Sequence, residues 1–178
     1  MSNEEKEPWL NYLALTTIIF AVGATLSTFK GGGFSTKSVI NQAQASDQWA
    51  FFQAKSIRET MYRIQKDKLS LEKSLLQGAN NQDTVKRYDE AIKQAEQNIN
   101  KYEKQKNEIQ TEAKVFEKKR DDAQRQGQPF GLAVIFFQVA ILLSSVSGLF
   151  NSKWLWYAAI PLGAIGIFYF VDGFLLFL

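Results

Sequence analysis

Residues 85–123 read VKRYDEAIKQAEQNINKYEKQKNEIQTEAKVFEKKRDDA, and their spacing decides the fold. Apolar residues fall at Val85, Tyr88, Ile92, Ala95, Ile99, Tyr102, Ile109, Ala113, Phe116 and Ala123, in alternating steps of three and four that only Lys106 and Arg120 interrupt. Glu, Lys, Gln and Asn cover the other faces. This is a heptad repeat, and a long helix with such a stripe needs a partner helix of similar length to bury it.

The partner is expected over 37–77, which holds neither Pro nor Gly. There Ala50, Ala54, Ile57, Met61, Ile64, Leu71 and Leu75 follow the same four-three rhythm, broken by Lys68. Gly78-Ala79-Asn80-Asn81 supplies a turn at 78–81, with Gly78 as a C-cap and Asn80 or Asn81 capping the returning helix. Arms of 37–77 and 82–126 differ by about one helical turn, so each spans roughly 60–68 Å at 1.5 Å per residue. The predicted unit is an antiparallel coiled-coil hairpin over 37–126, with Ser35 or Thr36 capping its first arm.

Outside the hairpin the composition changes. Residues 9–29, 130–150 and 154–178 are uncharged apart from Asp172, and each is long enough for a bilayer core. A signal peptide is the competing reading of 9–29, but its leader should be basic; residues 1–8 form a tail with Glu4, Glu5 and Glu7 before Pro8. The first span is therefore expected to be an uncleaved transmembrane helix. Gly31-Gly32-Gly33 predicts a break and a hinge over 30–36. A phosphate-binding loop would need a preceding strand and a Gly-Lys-Ser/Thr ending, which are missing. Gly127-Gln128-Pro129 is expected to close the hairpin, and 151–153 forms a short loop beside the aromatic belt of Trp154, Trp156 and Tyr157. The fold class that results is an all-α membrane protein of three transmembrane helices, with a long hairpin between the first and the second.

Charge orients the whole. Residues 30–128 hold 19 of the 21 Lys and Arg and 14 of the 18 acids, a net +5 with both signs mixed. That is a solvated helical surface and not a nucleic-acid footprint. Lys30, Lys37, Lys118, Lys119, Arg120 and Arg125 flank the spans on the hairpin side, against Lys6 and Lys153 on the other. The hairpin and C-terminus are therefore expected in the cytoplasm, with the N-terminus outside.

The chain contains no Cys and no His, which removes thiol nucleophiles, His-based triads and Cys/His zinc sites. No catalytic residue, metal or cofactor is expected, and the protein reads as a non-enzyme. Asp47 with Gln48, and Asp121 with Asp122, are better explained as parts of a solvated charge run than as metal ligands. Asp172 and Gln138 are the candidate intramembrane polar site, because a carboxylate within a span is by default a candidate for an ion path. Packing and hydrogen bonding between helices is the competing role for Gln138, Ser144, Ser145, Ser147 and the glycines of the third span.

The membrane-proximal part of the first arm adds Val39, Ile40, Trp49, Phe51 and Phe52 outside the seam, which marks them as an oligomer interface. The alternative is a segment lying against lipid headgroups. The run Asp47-Gln48-Trp49-Ala50-Phe51-Phe52-Gln53-Ala54-Lys55, together with Phe137 to Ser145 and the Trp-rich last span, resembles a family of small bacterial inner-membrane proteins of unknown function. The resemblance implies a bacterial inner membrane and three spans with a coiled-coil insert. It implies no activity. The expected function is a homo-oligomeric membrane scaffold or assembly protein with the lipid bilayer as its setting. The alternatives are a small oligomeric channel or transporter using Asp172 or Gln138, and a docking module that binds a soluble protein along the hairpin.

Overall fold

A computed structural model describes residues 8–76 and 82–176. Three helices account for nearly all of them: α1 (Pro8–Leu75), α2 (Gln82–Leu149) and α3 (Lys153–Leu175). Each contains a segment long and apolar enough to cross a membrane. The expected turn at 78–81 lies outside the described residues. Contacts divide the chain into two units, one of Met1–Ile40 with Lys119–Leu178 and one of Asn41–Lys118.

The unit of Asn41–Lys118 is an antiparallel helix pair. Trp49 meets Glu117, Glu59 meets Lys106, Tyr62 stacks on Tyr102 at 5.8 Å, and Lys66 meets Glu96, which fixes the register. On α2 the side turned inward carries Val85, Tyr88, Ile92, Ala95, Ile99, Tyr102, Lys106, Ile109, Ala113 and Phe116, all at least half-buried. On α1 the inward heptad is a different one from the apolar repeat. It runs Asn41, Ala45, Gln48, Phe52, Lys55, Glu59, Tyr62, Lys66, Leu69, Lys73 and Leu76. The residues expected in the seam, Ala50, Ile57, Met61, Ile64 and Leu71, instead point outward. The cause is that α1 carries two heptads out of phase, and the more polar one makes ion pairs that need the facing helix. Lys66 with Glu96 at 2.9 Å and Lys73 with Asp89 bridge the arms at their tips.

The other unit packs α1, α2 and α3 as three helices. Phenylalanine rings inserted where glycines remove a side chain hold it together. Phe20 covers Gly163, so that a Cβ there would overlap its ring. Phe137 sits between Gly23 and Gly166, where added Cβ atoms would come within 2.7 and 2.9 Å. Phe130 sits between Gly31 and Gly173, with corresponding distances of 3.2 and 2.7 Å. Phe20, Phe130 and Phe137 are all buried. Polar side chains along α1 are absorbed locally: the hydroxyls of Thr17, Thr25, Ser27 and Thr28 donate to the carbonyl four residues back.

The glycine hinge and the break at Gly127-Gln128-Pro129 do not occur. α1 is helical through Gly31–Gly33, and α2 through Pro129. Ser35 and Thr36 are thus not caps, and Thr36 donates within the helix to Gly32. Three interior glycines cost about 1 kcal/mol each in helix propensity. Against that, a continuous helix keeps its backbone bonds satisfied, and Gly31 and Gly127 admit the side chains of Phe130 and Phe34. At the opposite end, α2 ends at Leu149, and the turn is tied by the Ser152 amide to the Ser147 carbonyl and by the Ser147 hydroxyl to the Ser152 carbonyl. Asn151 takes a left-handed φ of 49° there.

Two expectations follow. Gly32 and Gly33 have open space around a Cβ, so G32A and G33A should each stabilise the helix by about 0.5–1 kcal/mol, read as a higher Tm in detergent. A hinge would give the opposite sign. Gly163→Leu should destabilise by about 1–3 kcal/mol through overpacking against Phe20, and Phe20→Ala in the same chain should recover much of that loss. Simple addition of the two costs would refute the ring-in-notch contact.

Candidate functional site

Of the residues expected to form an oligomer interface, Val39, Ile40 and Phe51 are more than half exposed. Trp49 and Phe52 are not on that surface. The Trp49 indole N–H donates to the Glu117 carboxylate at 2.9 Å, and its ring meets Phe52 edge-on at 5.4 Å. Both belong to the hairpin seam, because a half-buried indole needs an acceptor and α2 provides it.

The centre of that seam is a charged cluster that periodicity did not reveal. Lys106, which interrupts the apolar stripe of α2, donates to Glu59 at 2.6 Å and lies 5.5 Å above the Phe52 ring. Arg63 holds the other Glu59 oxygen, one turn along α1. Glu59 is almost fully buried, and the hydrogen bonds from Lys106 and then Arg63 hold its carboxyl below the ordinary 4.5, against the opposing effect of burial. Lys55 lies over the Tyr102 ring at 5.5 Å, one turn away. Nothing in this cluster is arranged as nucleophile and base. Among the described residues no three acidic side chains gather as a metal-binding group.

In the three-helix unit, Asp172 is buried and borders a cavity of about 220 Å³ with Arg125, Gln128, Pro129 and Tyr169. Its backbone carbonyl also accepts the Leu176 amide at the end of α3. Lys30 lies over the Phe174 ring at 5.7 Å. Gln138 is elsewhere: its side chain points outward from the three helices, so it and Asp172 do not form one site. The serines of α2 do not bridge helices as a group. Ser145 bonds its own helix, Ser147 bonds the turn, and Ser144 is buried without a hydrogen-bond partner. Near the turn, the Trp156 indole donates to Thr16, and Trp156 packs on Trp9 and Tyr157 beside the exposed Trp154. The aromatic residues that the sequence groups at this loop thus cluster with Trp9 of α1.

These features define an all-α protein with three helices suited to cross a membrane, α1 and α2 long and packed antiparallel. The chain belongs to the DUF4337 family, a domain of unknown function whose model matches residues 9–176. No curated protein and no solved structure matches it.

Because Glu59 is stabilised as the anion, its share of hairpin stability is complete above pH 4.5 and is lost as pH falls through its lowered pKa. Glu59→Gln should therefore flatten the acid side of the thermal-stability profile followed by circular dichroism. Lys106→Met should cost about 1–3 kcal/mol at neutral pH, less than an uncompensated buried charge because Arg63 remains bonded. An unchanged acid limb in Glu59→Gln would remove this pair from the account.

Proposed function

We propose that the protein is a non-enzymatic, homo-oligomeric membrane scaffold, anchored in a bacterial inner membrane with its hairpin on the cytoplasmic face. The observation that carries the oligomer is Gln138. It lies eight residues into the apolar run 130–150 and faces away from α1 and α3. A primary amide turned to hydrocarbon leaves donors and acceptors unpaired, whereas the same residue on a neighbouring copy satisfies both. Exposed Val39, Ile40 and Phe51 add apolar surface available for assembly. The orientation rests on the six Lys and Arg that flank the spans on the hairpin side.

The scaffold reading draws on the absence of Cys and His from the sequence, and on a buried charged cluster whose members bond one another. A small channel or transporter is the second reading, favoured by the buried Asp172 beside a cavity that Arg125 and Gln128 also line.

Light scattering of the detergent-solubilised protein should give a multiple of 20.2 kDa. Gln138→Leu should weaken that association by about 0.6–2 kcal/mol per contact, shifting the equilibrium toward smaller species on dilution. A monomeric wild type would overturn the reading. Liposomes containing the protein should pass no ion current. Current that Asp172→Asn alters would establish the channel instead.

A further inference from the structure

The outward heptad of α1 is unexplained by the hairpin. From Ala50 to Leu75 it keeps the alternating four-three rhythm through eight positions, roughly 37 Å of helix, with Lys68 the one charged member. Ile57, Met61, Ile64, Leu71 and Leu75 on it are 62–78% exposed. These residues occupy the side of α1 turned away from α2, since Ile57 and Met61 flank the buried Glu59 by two positions on either side.

A repeat of 3.5 residues does more than supply apolar area. It stays in line only along a helix that supercoils with α1, so the occupant is a long helix of matching pitch. We propose that this stripe is a second, intermolecular coiled-coil seam, in which α1 packs parallel and in register against α1 of another copy of this chain. The inference rests on the homo-oligomeric reading above and assigns its contact surface.

Three observations select a second copy. Copies inserted in one bilayer with one orientation share the direction of α1, which brings identical heptads level. In that register the Lys68 side chains of the two copies share one layer flanked by Asp67 and Glu72 of both, so the one charged layer gathers two positive and four negative charges, and a single lysine so placed fixes register at a cost in stability. The other flanking positions, Phe51, Gln53, Thr60, Gln65 and Ser74, are uncharged, and Arg58 lies across from the uncharged Gln53 of the other copy. Finally, the exposed area of five large apolar side chains on each of two copies is on the order of 1,000 Å², the size at which specific interfaces begin.

The sequence has no Cys, so single cysteines report neighbours without background. The full-length chain with Met61→Cys or Leu71→Cys, oxidised in native membranes, should shift from 20.2 kDa to a band of twice that mass. Lys104→Cys, on the exposed face of α2, should shift far less. Co-expressed Ile57→Cys and Leu71→Cys chains should form their like pairs and little mixed product, as a parallel in-register coil requires. Cross-linking of Met61→Cys no greater than that of Lys104→Cys overturns the inference, as does a predominant mixed 57–71 product. If light scattering then still shows an oligomer, the scaffold reading survives and only this seam is lost; a monomer sinks both. A cysteine adduct at a mass that is not a multiple of this chain would assign the stripe to a soluble protein and overturn the proposal.

Discussion

Close approach of helices in the three-helix unit depends on aromatic rings entering glycine notches. Within lipid, apolar surface gains little by turning from acyl chains to another helix, so association relies on fitted van der Waals contact and on small residues that permit it. Phe20 over Gly163, Phe137 between Gly23 and Gly166, and Phe130 between Gly31 and Gly173 supply such contacts at three levels. The Phe137 ring sits between glycines of α1 and α3 at once, and Phe130 meets Gly31 of α1 through its Cβ and Gly173 of α3 through its ring. A methyl group at Gly163, Gly166 or Gly173 would push α3 outward, and everything bordering α3, the Asp172 cavity included, depends on that spacing.

The helix pair of 41–118 is organised by a different constraint. Its α1 face is half polar, and such a face is stable only if each charge finds a partner across the seam. Glu59 between Arg63 and Lys106 meets that condition, and the bridges at Lys66 and Lys73 continue it. Cross-arm pairs of this kind contribute little net energy but penalise every other register, since a shift of one heptad would bury Glu59 without Lys106. Polar specification of the inner seam leaves the more apolar heptad of α1 free on the outer side.

This arrangement explains how far the sequence could be read. α2 was legible because its apolar residues and its buried face coincide from Val85 to Phe116. The same test applied to α1 selects the heptad with the larger hydrophobicity, and on α1 that is the outer one. The misplacement of Trp49 and Phe52 follows from it, because a seam set at Ala50 and Ile57 turns them outward by default. A signal for the true phase was present: Lys106 interrupts the α2 stripe, and a buried lysine calls for an acid on the facing helix. Glu59 is the acid that meets it, and Phe52 and Tyr62 share its heptad. Glycine had the complementary ambiguity. Gly31 reads as a breaker by propensity, and only the Phe130 side chain, whose Cβ lies against it, reveals a packing residue.

The two heptads of α1 also divide that helix into a face the hairpin buries and a face it leaves exposed. Residues that hold the hairpin, such as Glu59 and Tyr62, alternate along one helix with residues that leave apolar surface uncovered, such as Ile57 and Met61. An exposed apolar stripe of this length is a liability for a solitary chain, because it invites nonspecific association. It would not be improved by burial against α2, where Glu59 and Lys66 would then be turned out and Lys106 would lose its acid. Intramolecular pairing is thus decided by charge, and the apolar repeat is left exposed on the outer side of α1.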